Sequence, residues 1–115
     1  MKDSVLKSKS YIFSIRVVRL CQYLNKEKKE FLLSKQVLKS GTAIGALIRE
    51  AEFGQSKADF VSKLSIALKE ANETAYWLSL LKDTDYITND EFSSIKIDCD
   101  ELIKILVVSI KTAKK

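Results

Sequence analysis

SKADFVSKLSIALKEANETAYWLSLL, residues 56 to 81, carries the strongest structural signal in the chain. Phe60, Leu64, Ala67, Leu68, Ala71, Ala75, Leu78 and Leu81 recur at steps of three and four, the period of an amphipathic helix. Ser56 and Asp59 have the form of a capping box, with Asp where Glu is usual. The serine oxygen can accept from an orphan amide, and Asp59 lies in the first turn, where the helix dipole favours an anion. Gly54 suits the end of a preceding helix, because glycine tolerates the left-handed backbone common there. Asp59 with Lys63, and Lys69 with Glu73, stand four apart and add small ion-pair contributions. Continued to Asp83, the helix is roughly 40 Å long at about 1.5 Å per residue.

The same period extends on both sides of this stretch. A first helix is expected from about Lys7 to Leu24, with Leu6, Phe13, Val17, Leu20 and Leu24 on one stripe. Tyr11, Ile15 and Val18 form a second stripe on roughly the opposite side. A surface helix in a small bundle needs one apolar face, so the second must pack on something else, most simply another subunit. NKEKKEFLL, residues 25 to 33, reads as a charged turn ending in an apolar plug. A second helix follows from about Ser34, its expected N-cap, to Phe53, with Val37, Ile44, Leu47, Ile48 and Ala51 inward. Gly41 and Gly45 lie among Ser40, Thr42, Ala43 and Ala46. Each glycine costs about 1 kcal/mol in a helix interior, which close helix approach can offset. Thr88 and Glu91 form another capping box, opening a helix with Phe92, Ile95, Cys99, Leu102, Leu106 and Ile110 on its core stripe. Ile103 and Val107 widen that stripe, and Lys111, Lys114 and Lys115 suit its C-terminus.

Short connections between long helices imply antiparallel neighbours. The expectation is a single all-α domain, residues 1–115, folded as an up-down-up-down four-helix bundle. Composition agrees: the 115 residues include no proline and three glycines, and 46% are apolar. No apolar run approaches the roughly 20 residues that span a bilayer. The N-terminal MKDSVLKSKSYIF has no signal-peptide pattern, so a cytoplasmic protein without a membrane partner is expected. Cys21 and Cys99 each fall in an apolar pattern and are expected to be buried and reduced.

The sequence argues against an enzyme. There is no histidine, which removes Ser-His and Cys-His pairs and the Glu-x-x-His ligands of di-iron bundles. Two cysteines alone cannot make a structural zinc site, and no glycine-rich loop resembles a nucleotide fingerprint. Glu50, Glu52, Glu70 and Glu73 read as solvated or ion-paired surface groups. No cofactor is expected.

Charge is more informative. The net +5 is unevenly placed. Residues 1–39 carry ten Lys or Arg against three acids, while residues 40–115 carry ten against twelve. Lys9, Arg16, Arg19, Lys26, Lys28, Lys29, Lys35 and Lys39 are the candidate nucleic-acid contacts. They would bind phosphates by counterion release without reading bases. Arg16, Arg19 and Lys26 fall on one side of the first helix, and repetition around an oligomer would multiply the field. A lysine-rich solvated surface is the competing reading. Tyr11 and Tyr23 could stack on bases, but packing is the simpler role, as it is for Tyr76 and Trp77.

KLSIALKEANETAYWLSLL (63 to 81), SKQVLKSGTAIGALIREA (34 to 51) and QSKADF (55 to 60) together resemble the four-helix bundle family of the 23S ribosomal RNA intervening-sequence protein. Some of its members carry an old ribosomal-protein label. The resemblance implies a homopentameric ring of antiparallel bundles. It also implies kinship with the accessory subunit of diversity-generating retroelements, a basic barrel that engages a reverse transcriptase and nucleic acid. Many members have Asn where this chain has Leu47, a departure at one polar position. Two functions follow as expectations: an oligomeric accessory protein that binds RNA or DNA, or a protein-interaction module without nucleic-acid affinity. Tyr11, Ile15 and Val18 are the candidate oligomer interface in both.

Overall fold

The computed structural model describes the backbone of residues 2–115 and the side chains of residues 5–115. Four helices, α1 (Lys2–Glu27), α2 (Leu33–Glu52), α3 (Lys57–Asp83) and α4 (Asn89–Lys114), account for nearly all of it. Short turns reverse the chain three times, each helix packs on its neighbours in sequence, and α1 closes the square against α4. The 45 Å long axis, against 20 and 19 Å across, is the length of one helix plus its turns. The fold is therefore the expected all-α, up-down-up-down four-helix bundle.

The helical stripes become the core. Phe13, Val17 and Leu24 of α1, Val37 and Ile44 of α2, Leu64, Ala67, Ala71 and Leu78 of α3, and Cys99, Leu102 and Leu106 of α4 are buried together. Leu20 and Phe92 are half-buried at its margins. Lys82 Nζ lies 4.4 Å from the centre of the Phe92 ring, where the ring face attracts a cation. Both cysteines are free thiols in this core.

The seam between α1 and α2 is tight because of the glycines. A Cβ at Gly41 would stand 2.8 Å from Val17 Cγ2, and one at Gly45 would stand 3.3 Å from Ser14 Oγ. The seam between α1 and α4 is the loosest, with the fewest close backbone approaches of any packed pair. Polar bridges span it: Lys9 to Glu101 at 3.2 Å, and Arg16 to Asp98 at 2.8 Å.

Helix termini follow the capping chemistry with instructive departures. Thr88 and Glu91 form the full reciprocal box, and Ser56 Oγ accepts from Asp59 N at 3.0 Å. The Asp59 carboxylate, however, accepts from Gln55 N, one residue upstream of the cap. Gly54 is not left-handed. A Cβ there would stand 3.1 Å from both Ala51 O and Asp59 Oδ2, so glycine leaves room for the capping carboxylate. Among the described residues, the left-handed ones are Lys29 (φ 54°) and Asp85 (φ 67°). Neither expected i,i+4 pair forms. Lys63 reaches Glu50 on α2 at 3.1 Å, and Glu73 accepts from Trp77 Nε1 at 3.2 Å. Ser34 is not the cap of α2 either; it is buried within the first turn, and the residue at the cap, Leu32, has no capping side chain.

Candidate functional site

The last turn of α1, the connection, and the first turn of α2 bring Lys26, Lys28, Lys29 and Lys35 to one end of the bundle. Lys39 lies one turn farther along the outward face of α2. All five are exposed, and none takes part in an ion pair among the described residues.

One buried carboxylate builds this end. Left-handed Lys29 turns the chain so that Glu30 N reaches back to Leu24 O at 3.0 Å. The Glu30 side chain then folds inward beneath the start of α2. Its Oε1 accepts from Ser34 N at 2.7 Å, and its Oε2 accepts from Leu33 N at 2.8 Å and Leu32 N at 3.0 Å. A carboxylate at the positive end of a helix, holding otherwise orphan amides, satisfies both the hydrogen-bond and the dipole requirement. Glu30 is only 7% exposed, whereas Phe31 is 57% and Leu32 81% exposed. The expected apolar plug is thus inverted: of Phe31, Leu32 and Leu33, only Leu33 packs against the core.

Cys21 lies under this turn, with its Sγ donating to Ser34 O at 3.2 Å. Burial, assisted by the negative charge of Glu30, pushes its thiol up to about 11 from the ordinary 9.0. Burial pushes the Cys99 thiol up to about 12, with Asp100 adding to the rise and Lys96 opposing it. Neither is an activated nucleophile.

The other candidate basic residues have a different setting. Lys9 and Arg16 face α4 and are paired with Glu101 and Asp98; Arg16 also donates to Ser94 O and Ser94 Oγ. Arg19 lies over an open cleft of about 610 Å³ between α1 and α4, lined also by Tyr23, Ile87, Asp90 and Glu91. The two acids offset the arginine there. The structure therefore divides the eight candidates into five unpaired lysines at one end and three cations beside α4 carboxylates.

Tyr11, Ile15 and Val18 stand exposed along the outer crest of α1. Tyr11 borders a notch at the α1–α2 seam with Ser14, Gly45 and Arg49. Three features escaped the sequence reading: exposed Ile12 on the α4 side of α1, exposed Ile97, and an open apolar recess formed by Val5, Ile105 and Val108. Ile12 lies between the two stripes read on α1, on the side that faces α4, so neither stripe takes it in. Nothing local marks Glu30 as a buried cap. Its one sequence signal is its place as an acid between a lysine run and an apolar run. Among the described residues no group of three His, Cys, Asp or Glu side chains could hold a metal ion, and no helix is long and apolar enough to cross a membrane.

Comparison with known proteins gives a consistent result. The model of the family described as 23S rRNA-intervening sequence protein matches residues 2–108. A crystal structure of a protein of unknown function from the S23 ribosomal protein family of Bacteroides thetaiotaomicron shares 58% sequence identity. The match covers 96% of this chain and 99% of that one, with a TM-score of 0.95. No curated protein matches.

Proposed function

From the premise that this chain belongs to the 23S rRNA-intervening sequence protein family, we propose that it is a non-catalytic, self-associating protein that binds nucleic-acid phosphates through the Lys26–Lys39 end. The observation that carries this reading is the set of five exposed lysines there without a paired acid. An unpaired lysine releases condensed counterions when it meets a phosphate, whereas a cation already held by a carboxylate must first surrender that partner. The amides that begin α2 are taken by Glu30, so the lysines, rather than the helix terminus, hold the anion.

The test is binding of purified protein to RNA and DNA across a salt series. Single strands give a log–log slope of about −0.7 per phosphate neutralised. Lys28→Glu with Lys29→Glu should remove most of the affinity, and Lys9→Glu should matter much less. Equal losses in the two variants would refute the assignment to this end.

Self-association is favoured by a separate observation, the exposed Tyr11, Ile15 and Val18 on α1. Apolar side chains aligned along a helix crest gain roughly 25 cal/mol per Å² when another surface covers them. A homo-oligomeric ring, five-membered by family resemblance, would repeat the lysine end around its axis. An accessory role beside an enzyme acting on nucleic acid, such as a reverse transcriptase, fits a protein that supplies binding without chemistry.

A further inference from the structure

We propose that the α1–α2 end takes an unpaired, single-stranded segment of nucleic acid, with the ring of Phe31 as a platform on which a base stacks. The inference deepens the phosphate-binding reading and rests on it.

The turn is built to present its apolar residues. A connection free to relax would turn Phe31 inward and leave its one acid in water. Here the acid is inside. Glu30 is fixed by accepting from the amides of Leu32, Leu33 and Ser34, and this commitment holds Phe31 and Leu32 outward. Along the chain, exposed Phe31 falls between exposed Lys28 and Lys29 on one side and exposed Lys35 on the other. An aromatic face flanked by unpaired cations is the arrangement that suits a strand, with phosphates on the lysines and a base on the ring.

The same end of the bundle distinguishes the possible polyanions. The α3–α4 turn lies at this end and exposes Asp83, Asp85 and Asp90. A flat anionic lipid surface pressed on the end would meet this acidic corner as well as the basic one. A thin strand can lie on the basic corner alone. A duplex can contact the lysines, but its bases are stacked on one another and offer Phe31 no free face.

The experiment compares a fluorescein-labelled 12-nucleotide oligoadenylate with a hairpin duplex of the same charge, using the full chain and its Phe31→Ala and Phe31→Tyr variants. Phe31 is more than half exposed, so folding of each variant is confirmed by circular dichroism. The expected result is about a tenfold loss of strand affinity in Phe31→Ala, from the usual worth of one base–aromatic stack. Duplex affinity and the salt slope should be unchanged, and Phe31→Tyr should bind normally. A Phe31→Trp variant should show emission quenched by the strand and not by the duplex. Equal binding of strand and duplex that ignores Phe31→Ala overturns the stacking inference and leaves the phosphate reading standing. Absence of binding to either probe at low salt overturns both. Sedimentation with phosphatidylserine-containing vesicles that Phe31→Ala abolishes, without a matching loss on the strand, overturns the inference in favour of a membrane.

Discussion

Replacing Glu30 with alanine removes one side chain and leaves three backbone amides without their acceptor. Leu32 and Leu33 are exposed and half-buried, so water replaces the carboxylate there and each loses about 0.5 kcal/mol of net hydrogen bonding. Ser34 is buried, and its amide stays unsatisfied at a cost of about 1–2 kcal/mol. The sum, about 2–3 kcal/mol, lies at or just above the upper end for loss of an N-cap. At about 4 °C per kcal/mol for a chain of this length, the midpoint of thermal unfolding should fall by about 8–12 °C. Glu30→Gln keeps one acceptor but loses the charge at the positive end of α2, and should cost about half as much. Thermal and urea unfolding followed by circular dichroism measure both, with exposed Glu27→Ala as the control. A Glu30→Ala loss below about 0.5 kcal/mol would refute the view that this carboxylate organises the turn. A second readout is independent of stability. Freed from Glu30, Phe31 can turn inward, so strand affinity should fall although no contacting residue has changed.

Gly41→Ala should destabilise by about 1–2 kcal/mol, because the clash with Val17 at 2.8 Å outweighs the helix-propensity gain; Val17→Ala in the same chain should recover part of the loss in a double-mutant cycle. Ile15→Asp should shift the protein to a smaller species in light scattering, and an unchanged mass would remove the α1 crest as the self-association surface. The thiols set an alkaline limit. Folded values near 11 and 12 lie above the ordinary 9.0, so above pH 9 the unfolded chain loses protons that the native chain keeps, and stability falls as pH rises. Urea midpoints between pH 8 and 10.5 should show this decline, which Cys21→Ala with Cys99→Ala should flatten; an unchanged decline would place its origin elsewhere.

The bundle was legible because its signals are periodic and local. The α3 stripe, the Thr88–Glu91 box and the α4 stripe need only the spacing of residues along one helix. The misreadings all involve partners far along the chain or a choice between equivalent local solutions. Ser34 is a good N-cap by type, but Glu30 holds the amides of Leu32, Leu33 and Ser34 from outside the helix, so α2 begins one residue earlier and Ser34 falls within its first turn. Lys63 prefers Glu50 on α2 to Asp59 on its own helix, because packing has already fixed Glu50 nearby. The site was half legible. The excess of lysine before residue 40 was visible. That α4 acids stand opposite Lys9 and Arg16, and none opposite Lys28 or Lys29, depends on the closure of the square.

The α4 acids opposite Lys9 and Arg16 change what the net charge means. Fields from exposed charges fade over about 8 Å at physiological salt, and the bundle is 45 Å long. Its middle and its ends therefore act independently, and the charge excess of the N-terminal third cannot be treated as one patch. Lys9 and Arg16 spend their charge across the α1–α4 seam, where they hold together two helices that pack loosely. The lysines of the α1–α2 end have no such structural task. Assembly would then decide their strength. A rotation axis places equivalent residues at the same height along it, so a cyclic ring carries every copy of this end at one level. A strand could contact several copies in succession, each later contact being intramolecular and favoured by effective concentration. The two proposed surfaces are therefore coupled: Ile15→Asp, which touches no lysine, should weaken binding to a long strand far more than binding to a strand short enough to occupy a single subunit. Equal loss on both lengths would mean that each bundle binds alone, whatever its oligomeric state.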